Sequence, residues 1–276
     1  MILSDFHTHS SNSGDSDTPM KLQIDAAIKA GITELCITEH MDMGYPDPPK
    51  DHEDEMCDFV LDADRYHKEY TDMKALYEKE PNINIYFGVE LGLQDFIVAE
   101  NAEFASKYPF DFIIASSHLF DRIDPYFPEY WEGKSETAMI RRYFESIYEN
   151  ICLFSNFDVY GHLDYLVRYM KDKDKNYDYK SYSDEIDTIL KKLIEMGKGI
   201  EINTGGLKNG LMNPNPCPGI IKRYKELGGE IITVGSDAHT PDYIGYRFDV
   251  AEEILKDCGF KYYTVFKSRK PEFIKI

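Results

Sequence analysis

"MILSDFHTHS", residues 1–10, places two histidines, His7 and His9, one residue apart at the end of a short apolar run. Met1, Ile2, Leu3 and Phe6 make the run β-compatible, and it is too brief for a signal peptide or a membrane span. On a strand, side chains at i and i+2 share a face, so His7 and His9 can present two imidazoles to one ion. An isolated HxH pair is equally compatible with packed or surface histidines, so the rest of the chain has to decide.

Working outward, apolar and β-branched runs recur at 1–6, 33–38, 84–89, 111–115, 157–161, 199–203 and 230–234, which predicts seven strands. Segments with helical spacing lie between and after them, at about 18–30, 59–79, 94–107, 135–150, 181–197, 215–228 and 247–258. Thr18 is expected to cap the first helix, with Pro19 at its first position and Gly31 just past its end. Ser183 is a possible cap for the helix whose stripe is Ile186, Ile189, Leu190, Leu193 and Ile194. Strict β/α alternation implies parallel strands covered by helices, and seven units over 276 residues favour a barrel formed as a single domain, 1–276. The proline- and acid-rich stretch 45–58 reads as a long loop over that domain.

In such a barrel the carboxyl ends of the strands converge on one face. His40 follows "ELCITE", Glu90 follows "INIYFGV", His118 follows "DFIIASS", His162 follows "FDVYG", and Asp237 and His239 follow "EIITVGS". Six of the eight histidines, His7 and His9 among them, and two acids therefore lie at the carboxyl ends of predicted strands. Packed core histidines have no reason to choose one end of every strand, so the pattern predicts a metal site. His52, in the acidic loop, and His67, within a helix, fall outside it and read as solvated or locally bonded.

Imidazoles and carboxylates without cysteine suit Zn, Mn or Fe ions better than Ca or Mg. Eight such ligands exceed the needs of one tetrahedral ion, and two or three divalent ions sharing a bridging carboxylate would use them. Ions about 3.5–4 Å apart hold a hydroxide and both oxygens of an in-line displacement, which points to phosphate ester hydrolysis, with amide or carbamate hydrolysis as the chemical competitor.

The net charge of -19, from 50 acidic and 31 basic residues, disfavours nucleic acid and anionic membranes as partners. Cys36, Cys57, Cys152, Cys217 and Cys258 are scattered and odd in number, and read as reduced thiols of a soluble cytoplasmic protein. Oligomeric state stays open.

The segments "DFHTHS" (5–10), "ITEHMD" (37–42), "GVELG" (88–92), "SSHLFD" (116–121), "GHLDYLVRY" (161–169), "EINTGG" (201–206) and "GSDAH" (235–239) resemble the PHP (polymerase and histidinol phosphatase) metallohydrolases over nearly the whole chain. "HLDYLVRY" and the tail "FKSRKPEFIKI" point to the histidinol-phosphate branch. The resemblance implies a distorted (β/α)7 TIM-like barrel with a trinuclear site at the carboxyl ends of its strands. One ion would take His7, His9, Glu90 and Asp237. A second would share Glu90 and take His118 and His162. The third would take His40, His239 and a residue of the first loop, Asp15 or alternatively Asp17. It further implies metal-dependent hydrolysis of a small-molecule phosphomonoester, L-histidinol phosphate, with Glu90 and Asp237 in the catalytic cluster.

Arg168 is the expected phosphate-gripping residue, with Lys208 and Asn203 as further substrate contacts. Asp5 and Asp164 are expected to orient imidazoles, and Asp42, Asp121 and Glu129 to be available for the cationic end of the substrate. The rival readings are a PHP phosphoesterase acting on nucleotides or other phosphomonoesters, and a non-catalytic metal-binding domain.

Overall fold

The computed structural model describes residues 1–55, 57–80 and 82–276. Seven parallel strands run in sequence order: β1 (Ser4–Asp5), β2 (Glu34–Met41), β3 (Asn84–Gly92), β4 (Phe112–Ser116), β5 (Val159–Tyr160), β6 (Gly199–Asn203) and β7 (Ile232–Gly235). The ring closes between first and last. Phe6 N donates to Val234 O at 3.0 Å, Asp237 N to His7 O at 2.8 Å, and His9 N to Ala238 O at 2.9 Å. This is the (β/α)7 barrel that the alternation predicts.

Between the strands lie α1 (Met20–Ala30), α2 (Ala63–Leu76), α3 (Val98–Lys107), α4 (Glu136–Leu153), α5 (Ser183–Glu195), α6 (Gly205–Lys208) and α7 (Pro218–Glu226), with α8 (Phe248–Asp257) after β7. Helix α5 is sorted as its stripe requires, with Ile186, Ile189, Leu190 and Leu193 fully buried. Gly31 ends α1 in the left-handed conformation at φ 78°.

Several local expectations are corrected. Thr18 makes no cap bond to α1, because its hydroxyl donates to the His239 carbonyl at 2.8 Å and so ties the first loop to the last. Ser183 is the first residue of α5 rather than its cap. The one-turn α6 sits where a loop is expected. The 45–58 loop carries a 3-10 segment, Lys50–Glu55, and Met56 within it lies outside the described residues.

The largest departure is an antiparallel hairpin, β8 (Tyr262–Lys267) and β9 (Lys270–Lys275), beyond the barrel. It covers the amino ends of the strands. Thr264 Oγ1 accepts from Ile232 N, Ser268 N donates to Asp111 Oδ1 at 2.9 Å, and Arg269 pairs with the 7 % exposed Asp158. The Phe266 ring joins those of Phe112, Phe6 and Tyr86 in one aromatic layer. Burying Tyr263, Val265 and Phe266 contributes about 1.5–3 kcal/mol each. One end of the barrel is thereby plugged, which leaves the carboxyl end for chemistry.

Candidate metal centre

Each predicted ligand stands at or just past the carboxyl end of its strand. β2 and β3 pair His40 directly with Glu90. Glu90 is fully buried and is the hub of the cluster. Its Oε1 lies 3.1 Å from His118 Nε2 and 2.8 Å from His162 Nε2. Its Oε2 lies 3.1 Å from His7 Nε2, 3.5 Å from His9 Nε2 and 3.0 Å from His40 Nδ1. Asp237 Oδ1 stands 3.4 Å from His9 Nε2 and 3.6 Å from His239 Nδ1. The His9 ring packs against those of both His40 and His239, with centroids 4.2 and 4.3 Å away. Asp15 Oδ2 reaches His239 Nε2 at 3.0 Å and His40 Nε2 at 3.6 Å; Asp15 and Asp17 are both exposed residues, and it is Asp15 whose carboxylate meets the imidazoles.

Four of these atoms, Glu90 Oε2 and the three nitrogens that crowd within 3.5 Å of it, His7 Nε2, His9 Nε2 and His40 Nδ1, are buried and make no hydrogen bond. Buried polar atoms left unpaired cost about 1–3 kcal/mol each, so such convergence requires something else between them. Divalent cations meet that need, and overlapping triads such as His7–His9–Glu90, His40–Glu90–His118 and His9–His40–His239 have the proximity to hold them.

Other side chains hold the imidazoles in orientation. Glu201 Oε1 lies 2.7 Å from His7 Nδ1, and its Oε2 accepts from His162 N at 3.0 Å. Asp42 Oδ1 stands 2.8 Å from His118 Nδ1. His9 Nδ1 meets the Ser13 hydroxyl at 3.1 Å, and Ser13 in turn donates to Glu39 at 2.6 Å. A proton on each Nδ1 leaves Nε2 of His7, His9 and His118 as the metal-facing nitrogen. Gly235 has to lack a side chain, since a Cβ would run into both His7 and Glu201. Asp237 adopts φ 56°, a left-handed conformation that a non-glycine residue keeps only when its surroundings enforce it.

In the metal-free chain these charges are strongly coupled. Burial pushes the Glu90 carboxyl up, but His7, His118 and His40 outweigh it and hold it well below the ordinary range. Burial likewise opposes ionisation of Asp237, and His7, His9 and His239 overcome it. Burial would depress His118, yet Asp42 and Glu90 raise it to about 10. His9 is pushed down to about 3 by burial and by its imidazole neighbours.

Glu201 and Glu39 are partners of the cluster that sequence reasoning missed. The signal was there: an acid inside a strand buried on both faces needs a partner. Asp42 is no free surface acid, as it is buried and holds His118. Asp5 and Asp164 do not orient imidazoles. Asp5 accepts from Ser236 and Gly245 and so fixes the loop that carries Asp237, while Asp164 accepts from Asn215 and Cys217. Asp121 is paired with Arg142, and Glu129 with His52.

Arg168, on the turn Tyr165–Tyr169, lies with its guanidinium 4.2 Å over the Tyr165 ring. Its Nε and Nη2 are buried without a hydrogen-bond partner. Together with His40, His118, His162, Asp237 and His239 it lines a basin of about 90 Å³. Asn203 does not line that basin. It is fully buried, its amide reaching Glu201 at 3.2 Å and Asp237 at 3.4 Å. Lys208 also lies outside the lining, its ammonium 4.7 Å over the Tyr243 ring. Through Asp15, Tyr45, Phe59 and Tyr165 the basin adjoins a larger chamber of about 370 Å³.

A parallel barrel that pools six imidazoles and three carboxylates at its carboxyl face, beside a guanidinium with two unpaired donors, defines a metal-dependent hydrolase. Residues 5–205 match the PHP domain model, and the chain belongs to that family. It is 34% identical over 260 residues to a probable histidinol-phosphatase of Clostridium acetobutylicum, covering 94% of this chain and 95% of the relative. It is 30% identical over 267 residues to the histidinol-phosphatase of Lactococcus lactis, covering 96% and 95%. The crystal structure of histidinol phosphate phosphatase from L. lactis, in complex with zinc, L-histidinol and phosphate, superposes with a TM-score of 0.86 at 29% identity, covering 98% of each chain. No helix among the described residues is long and apolar enough to cross a membrane.

Proposed function

We propose that the protein hydrolyses L-histidinol phosphate to L-histidinol and phosphate as a metal-dependent phosphomonoesterase of histidine biosynthesis. The carrying observation is Arg168, a buried guanidinium with two unpaired donors over a basin of metal-ligand side chains. Such a fork matches two phosphoryl oxygens at once. The similarity to the L. lactis enzyme, whose crystals hold zinc, L-histidinol and phosphate, supports the substrate.

Three divalent ions, Zn, Mn or Fe, would be held by His7, His9, Glu90 and Asp237; by Glu90, His118 and His162; and by His40, His239 and Asp15. Glu90 turns Oε1 toward His118 and His162 and Oε2 toward His7, His9 and His40, and Asp15 reaches both His239 and His40, which supports a shared carboxylate between the ions and Asp15 as the added ligand of the third. Bound divalent ions make water nucleophilic at neutral pH and offset phosphoryl charge. The chain's own groups do the rest. Arg168 grips the non-bridging oxygens, Glu201 and Asp42 hold His7 and His118 in position, and the adjoining chamber receives the alcohol. The packing of the hairpin against the barrel floor supports residues 1–276 acting as one domain, and Cys36, Cys152, Cys217 and Cys258, which form no disulfide, fit a reducing cytoplasm.

The test is phosphate release from L-histidinol phosphate, p-nitrophenyl phosphate and a nucleoside 3′,5′-bisphosphate, with the metals of the protein counted by mass spectrometry. Preference for L-histidinol phosphate, abolished by chelation, is expected. Metal-loaded protein active only on the other esters would overturn the substrate, and metal-loaded protein active on none would overturn the enzyme.

A further inference from the structure

The chamber in front of the basin is walled by Tyr45, Phe59, Tyr126, Phe127, Tyr165 and Tyr169. No basic side chain lines it among the described residues, and its two charged groups are Asp15 and Asp124. Asp15 is committed to His239 and His40 at the metal cluster. Asp124 is not. It is 5% exposed, and it is held rigidly from two sides: Tyr126 N donates to Oδ1 at 2.9 Å and the Tyr45 hydroxyl to Oδ2 at 2.8 Å. A carboxylate has about four acceptor sites, so two remain for a ligand. Rigid placement before binding is what a specificity contact needs, and aromatic faces around an acid add cation–π attraction for an ammonium group.

We infer that Asp124 is the specificity-determining carboxylate of this site, which binds the ammonium group of an amino-alcohol phosphate while Tyr45 positions it and the surrounding rings take the substrate's heteroaromatic ring. This rests on the proposed phosphatase reading and deepens it. Anionic alcohol portions, such as those of nucleotides or sugar bisphosphates, meet an acid here and no cation. The residue that recognises the substrate is therefore neither Asp42, Asp121 nor Glu129, each of which is already engaged by a histidine or arginine.

The test is a cycle of two enzymes and two esters: wild type and Asp124→Asn, each with L-histidinol phosphate and with 3-(imidazol-4-yl)propyl phosphate, which lacks only the amine. In the wild type the amine is expected to raise kcat/KM by thirtyfold or more, chiefly through KM, and in Asp124→Asn by threefold or less. Tyr45→Phe, which keeps the ring and releases the carboxylate, is expected to fall between. An amine effect equally large in wild type and Asp124→Asn overturns the assignment. Wild type that hydrolyses p-nitrophenyl phosphate but neither imidazole ester overturns the substrate reading beneath it, a result distinct from the first.

Discussion

Glu201 Oε1 lies 2.7 Å from Nδ1 of His7, and both groups are buried. The bond fixes the imidazole tautomer and turns Nε2 toward Glu90 and Asp237. Because the other Glu201 oxygen accepts from His162 N, one side chain sets two strand ends at once. Glu201→Gln presents an amide that cannot accept at both places. It is expected to lower metal affinity 10–100-fold with the fold intact, read by metal content and by competition with a chelator. Unchanged affinity would make Glu201 a packing residue only.

The barrel was legible because each strand of a parallel sheet announces itself as a short apolar run, and because ligands at the carboxyl end of every strand have one structural meaning. Glu201 was harder. In "GIEIN" an acid between isoleucines imitates the wet face of an alternating strand, and ring closure is what turns that face toward His7. The hairpin was hidden for another reason: its turn places Ser268 and Arg269 at φ 48° and 65°, conformations that the sequence signature of a tight hairpin assigns to glycine or asparagine. Asp124 could be separated from the other loop acids only by what each one touches, and contacts between loops leave no periodic trace.

Metal loading is expected to release protons. In the metal-free chain Asp42 and Glu90 raise His118 to about 10 against its burial, so its imidazole is protonated at pH 7.5, while a metal needs the neutral ring. The sign for stability follows: a raised folded-state pKa contributes stability that is complete below the ordinary 6.5 and is lost as pH rises through 10. Metal-free protein should therefore lose stability between pH 6.5 and 10, and loaded protein should not. Calorimetry of metal binding in two buffers of different ionisation enthalpy counts the protons; identical observed heats in the two buffers would contradict the coupling.

Arg168→Ala is expected to lower kcat/KM about 10²–10³-fold on phosphate esters, the range for removing one preorganised donor at developing charge. Inhibition by inorganic phosphate should weaken in parallel, with metal content unchanged. Arg168→Lys should recover only part of the loss, since an ammonium group lacks the planar fork. If phosphate inhibition survives the alanine variant, the phosphoryl group is bound elsewhere.

At the opposite end of the barrel, Arg269 pairs with Asp158, whose same oxygen also accepts from Ile113 N at 2.8 Å. Asp158 is buried, so losing the guanidinium strands a charge that burial already disfavours. Arg269 itself is partly exposed, and water admitted to the gap offsets part of that penalty. Arg269→Ala is therefore expected to destabilise the protein by about 2 kcal/mol, a few degrees in Tm for a chain of this length. Arg223→Ala breaks a bidentate pair with Asp187 on the outer helices, yet it should cost clearly less than Arg269→Ala, because that pair lies nearer to solvent. Thermal unfolding of both variants, with metal content and turnover measured alongside, decides the point. Equal shifts would mean that the hairpin is an ornament on a barrel that stands without it, whereas a larger shift for Arg269→Ala with unchanged turnover per metal makes the plug a stability element remote from the chemistry.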